Sequence, residues 1–99
     1  MIELEKVVNV VSDAIASSVI LRMNHDSFSR VVEPYLLFPD EDRRTLLLAW
    51  QLSGGCISGI SIGWKILRLS EITAVSALDE LFIPVRRAEY PAQFHLRPA

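Results

Sequence analysis

Residues 28–54 read FSRVVEPYLLFPDEDRRTLLLAWQLSG. The charged segment PDEDRR at 39–44 splits the stretch into two short apolar runs bounded by turn residues. The reading is two strands, FSRVVEPYLLF and TLLLAWQL, joined by a polar turn. Pro34 cannot donate to a ladder, so it implies an edge position or a bulge.

Working outward, the same grammar repeats. SVILRMNH at 18–25 is a further strand, with NHDS as its turn. SGGCISGISIG at 53–63 is a flexible connection, and WKILRL at 64–69 is the next strand. SEIT makes a single helical turn before AVSALDELF at 74–82, the fifth strand. Ahead of the strands, Leu4, Val7, Val8, Val11 and Ile15 fall at helical spacing, with Glu3 and Glu5 in the first turn, where the helix dipole favours acids. The expectation is one amphipathic helix over residues 1–17 that buries Leu4, Val7, Val11 and Ile15. A barrel over 18–83 follows, and the tail at 84–99 is either loose or laid across a neighbouring molecule. Five short strands with tight turns after one helix give a mainly β fold, a small five-stranded barrel.

A chain of 99 residues makes one domain. Its composition is 51% hydrophobic with mean hydropathy +0.30, rich for a small soluble chain, and the expectation is a homodimer that covers the excess. The net charge of −2 argues against an unspecific coat for nucleic acid, so any anion site must be a local cluster of cations. Cys56 is the single cysteine, which excludes an intramolecular disulfide and suits a reducing cytoplasm. The acidic N-terminus does not read as a signal peptide, and no apolar run is long enough to span a bilayer.

The ordered series VVEPYLLF, charged turn, TLLLAWQLSG, GWKILRLSEI and ALDELF resembles the WYL domain, in particular its standalone members, across Ser18 to Phe82. The chain departs from that pattern at the eponymous Trp-Tyr-Leu positions, here Thr45, Leu46 and Leu47. It departs again at Lys65, where many members have Arg, at Leu67, where many have Phe, and at Ser70-Glu71, where many have Asp-Arg. The resemblance implies an SH3-like (Sm-like) barrel acting as a ligand-sensing module of bacterial transcription regulators, with single-stranded nucleic acid or nucleotide-like ligands. One helix ahead of the barrel does not supply the pair that a helix-turn-helix needs, so duplex reading by this chain alone is not expected.

Candidate ligand-binding residues follow from chemistry. Arg68 sits between Leu67 and Leu69 and matches a family arginine. Its guanidinium fork fits phosphate or carboxylate bidentately, or else it pairs structurally with Asp79, Glu80 or Glu71. Lys65 lies three positions away, so the two cations share a site only if a bulge or strong barrel curvature intervenes, and otherwise Lys65 is a snorkelling surface residue. Tyr35 and Trp50 end adjacent strands and offer rings for base stacking, whereas Trp64 reads as core or interface. Arg44, beside Arg43, joins the set as a turn cation following Asp40-Glu41-Asp42. Arg86, Arg87 and Arg97 make the tail basic.

His25 and His95 have no companion ligands at metal-binding spacing, and no cofactor motif is present. Cys56 lacks a signature for nucleophilic work, so no enzymatic activity is expected. The expected function is a non-catalytic binding module for an anionic ligand, a nucleotide or short single strand, reporting to a regulator protein or a second copy. The competing reading is a protein–protein assembly module.

Overall fold

The computed structural model describes residues 3–55, 59 and 62–94. Cys56, His95 and Arg97, discussed above, lie outside the described residues.

Helix α1 spans Leu4–Ser17 and ends where Ser18 turns into the left-handed region at φ 55°, its N–H donating back to the Ala14 and Ile15 carbonyls. The helix buries Val7, Val11 and Ala14, a stripe at four- and three-residue spacing. Two expected members of that stripe are placed differently. Leu4 is 50% exposed and Ile15 only partly buried, because the buried face is centred one helix position away, on Ala14.

Five strands follow: β1 (Val19–His25), β2 (Phe28–Pro39), β3 (Thr45–Gly54), β4 (Gly63–Arg68) and β5 (Ile72–Leu81). A 3-10 turn at Leu69–Glu71 links the last two. The sheet is antiparallel in the order β4-β3-β2-β1-β5, the expected small barrel preceded by one helix. The β1–β2 hairpin turns through Asp26 and Ser27, both at positive φ (53° and 66°), the geometry that matches strand twist.

Pro34 lies on the central strand rather than an edge, and the bulge alternative holds. The β2–β3 register shifts between Pro34 and Leu36, and pairing to β1 stops at Val32. No neighbour on that side therefore asks Pro34 for an N–H. The sheet curls far enough for its opposite flanks to touch. At the end of β1, His25 Nε2 accepts a hydrogen bond from the backbone N–H of Arg68 at the end of β4, at 3.1 Å.

The interior alternates inward from each strand: Leu21 and Met23, Val32, Leu47 and Ala49, Leu67, then Leu69 and Ile72, closed by Val7, Val11 and Ala14 of the helix. The C-terminal segment, expected either loose or laid across a neighbour, is packed as far as Phe94. Two further 3-10 turns, Val85–Glu89 and Ala92–Phe94, run back over the outer face of the chain's own sheet. Trp64 Nε1 donates to the Glu89 carbonyl at 3.2 Å, and Phe94 packs on Phe38 with ring centroids 4.8 Å apart. Among the described residues no helix is long and apolar enough to cross a membrane.

Candidate anion-binding cleft

The turn between β2 and β3 is organised by one carboxylate. Asp40 Oδ1 accepts from the backbone N–H groups of Asp42 and Arg44, both at 2.8 Å, and the Asp40 backbone closes the turn on Arg43 and Arg44. This local capture is the usual reason aspartate starts turns. Its consequence here is electrostatic, because Asp40 is committed to the backbone instead of the neighbouring guanidinium groups. Among the described residues neither Arg43 nor Arg44 forms an ion pair.

Both arginines line a cleft of about 410 Å³ with Thr45, Ser70 and Leu4. That volume falls within the range of small-ligand sites, about 300–1,000 Å³. Two guanidinium forks, two hydroxyls and one apolar wall suit an anionic group carried on a partly apolar body. Leu4, misplaced as a core residue, supplies the wall.

The other expected site residues are not brought together. Arg68 reaches the outer surface with its side chain 58% exposed, and its Nη1 lies 3.6 Å from Glu71 Oε1. Of the three acids considered as its partner, Glu71 is the one found. The strand partner of Arg68 is Leu46, two residues on from Arg44, so Arg68 flanks the cleft without being among its lining residues.

Lys65 faces away from Arg68. The β3–β4 register runs unbroken from Leu46↔Arg68 to Gln51↔Gly63, so no bulge brings the two cations to one side. Lys65 instead shares the face of Leu67.

The expectation that Tyr35 presents an open ring is corrected. It is 2% exposed, boxed by Trp64, Phe82 and Tyr90 at centroid distances of 5.2, 5.5 and 5.8 Å. Its hydroxyl donates to Glu33 Oε1 at 2.9 Å. Burial, and then the Glu33 carboxylate, push its pKa well above the usual phenol value. Trp50 is half-buried, packed edge-on against Trp64 and covered by Arg86, whose guanidinium carbon is 4.1 Å from the ring centroid. Arg86 thus occupies a face of Trp50 on which a base would stack.

Sequence reasoning missed a buried polar group inside the barrel. Arg30 is 4% exposed, Gln51 fully buried and His25 6% exposed. Arg30 Nη1 donates to Gln51 Oε1 at 3.1 Å, and Gln51 Nε2 donates to the Gly55 carbonyl at 3.3 Å. Burial, then the Arg30 charge, hold the His25 pKa below its ordinary value. The signal was present: His25 continues the inward series Leu21, Met23, and Arg30 shares the parity of Val32.

The chain is similar in structure to Proteasome accessory factor B/C (PafBC) of Arthrobacter aurescens, with a TM-score of 0.68 and 18% sequence identity. The match covers 82% of this chain but only 12% of that one. The likeness shows a shared fold. No protein-family model and no curated protein matches the chain.

Proposed function

We propose that this chain is a non-catalytic ligand-binding module of a bacterial regulatory system. Its ligand is anionic, a nucleotide or a short single strand, held in the cleft between the β2–β3 turn and the 3-10 turn after β4. The observation that carries this reading is the pair Arg43 and Arg44, open to a cleft and free of acid partners among the described residues. The fold shared with part of PafBC supports the regulatory context.

Titration with mononucleotides and short oligonucleotides tests the reading. Replacing both arginines by alanine removes charge-assisted hydrogen bonds worth about 1.5–3 kcal/mol each, so affinity falls at least tenfold. With two phosphates neutralised on a single strand, the salt dependence has a log–log slope of about −1.4. Equal binding by wild type and double variant, or no binding by wild type, overturns it.

One observation favours assembly as a second reading. Leu81, Ile83 and Val85 are 75%, 79% and 67% exposed at successive alternate positions. A homodimer would appear in light scattering at twice 11.2 kDa, and a monomer at micromolar concentration removes this reading.

A further inference from the structure

The Arg30–His25 group has more donors than acceptors, and the shortage can be counted atom by atom. A guanidinium cannot be deprotonated in a protein, so Arg30 is a permanent charge. It is nine-tenths buried, yet among the described residues no carboxylate lies within ion-pair distance of it. Among the described residues its one side-chain acceptor is Gln51 Oε1, and its Nε is buried without a partner. The Phe28 ring lies beside the group, its centroid 5.8 Å from the guanidinium carbon.

His25 repeats the shortage. Its Nε2 accepts the Arg68 backbone N–H, so that nitrogen carries the lone pair, and the Glu71 carboxylate stands 3.6 Å from the same nitrogen. In the neutral ring the proton then sits on Nδ1, as a donor. That Nδ1 is also buried without a partner. Met23 pairs with Arg30 and His25 with Phe28 across β1–β2, which makes His25 and Arg30 diagonal neighbours on one face. Such neighbours stand about 7–8 Å apart. Gln51 cannot fill the gap, because its oxygen serves Arg30 and its nitrogen serves Gly55.

Two inward-facing donors beside an uncompensated cation call for an acceptor with negative charge. We propose that Arg30 and His25 form a second, enclosed site for one small oxyanion, a phosphate or carboxylate group, accepting from Arg30 Nε and His25 Nδ1. Enclosure sets the class of ligand. A site this buried takes a free ion or the terminal acid group of a small molecule, and excludes a phosphate inside a polymer. It is separate from the Arg43–Arg44 cleft, which none of these residues lines.

The test is a titration of the isotope-labelled full chain at neutral pH and constant ionic strength, with inorganic phosphate and acetate as probes and chloride as the reference. Long-range nitrogen–proton NMR correlations read the His25 tautomer and the Arg30 Nε–H directly. The expected result is a ring protonated on Nδ1, with both signals shifting on addition of phosphate or acetate. Response to one probe alone identifies which oxyanion the site takes. Arg30→Met removes the donors at similar length, and with them the response; each lost charge-assisted bond weakens the anion about ten- to hundredfold. His25→Phe weakens it by the loss of a single bond. Arg43→Ala with Arg44→Ala leaves this response intact while abolishing nucleotide binding, so the two sites succeed or fail separately. A His25 ring protonated on Nε2, or wild-type signals that neither oxyanion moves, overturns the proposal even if a variant fails to fold.

Discussion

Arg86 places its Nε 3.1 Å from Glu33 Oε1, the same oxygen that accepts the Tyr35 hydroxyl. The Glu33 side chain is only 11% exposed, so this ion pair lies largely out of water, and it ties the C-terminal segment to the centre of the sheet. Removing Arg86 leaves a nearly buried carboxylate with one donor in place of two.

Arg86→Ala is therefore expected to destabilise the fold by about 1–3 kcal/mol. The measurement is the urea midpoint, read beside the tryptophan fluorescence of Trp50 and Trp64. Arg86→Lys recovers part of the loss, since it keeps the charge but lacks the planar group that stacks on Trp50. An unchanged midpoint for the alanine variant would show that the segment does not brace the barrel.

Arg68→Ala should behave in the opposite way. Its pair with Glu71 is exposed on both sides, 58% and 41%, and such pairs contribute about 0–1 kcal/mol. The expected fall in melting temperature is at most about 4–8 °C, and nucleotide affinity falls less than on loss of Arg44. A large drop in stability would instead mark Arg68 as structural.

The helix closes the core of the barrel with Val7, Val11 and Ala14. Val7 and Val11 are 1% and 0% exposed, and burying each contributes about 1.5–3 kcal/mol against a total stability of about 5–15 kcal/mol. Deleting residues 1–17 should give an aggregating or unfolded chain, and Val11→Ala alone should cost about 2 kcal/mol. A soluble truncated barrel with an unchanged melting point would contradict this.

Stability should fall on both sides of neutral pH. His25 has a folded pKa below its ordinary 6.5, so the fold prefers the neutral ring. The stability this gives is present above 6.5 and is lost as pH falls through the lowered folded value. Tyr35 works in the other direction. Its pKa is raised, so its contribution is intact below 10.0 and is lost as pH rises beyond that. Melting curves across pH measure both limbs, and His25→Phe should flatten the acid one. An acid limb unchanged in that variant would assign it to other groups.

The strands were legible because their signals are local. The positions of Pro34, of the Asp26–Ser27 turn and of the charged segment at 39–44 each fix where a strand bends or stops. The site was less legible because burial is set by strand order, which no short window contains. Tyr35 reads as an exposed ring until the chain's own Phe82 and Tyr90 are folded over it. Arg30 reads as a surface cation until Gln51 and Phe28 enclose it. Arg44 reads as a turn cation beside Arg43, with no pocket in view, until Asp40 is seen to serve the backbone.

The strand order also bears on how the molecule assembles. β1 to β4 form a meander in which every partner is the next strand along the chain, so each pairing closes a short loop. β5 pairs instead with β1, the first strand, with Leu21 meeting Ala77 across the intervening sequence. Loop-closure entropy makes such non-local pairing slow and late. It also leaves β5 as an edge whose one fully buried residue is Ile72. Amide hydrogens of β5 should thus exchange fastest among the strands and those of β2 slowest, with β5 detaching as a unit before the meander opens.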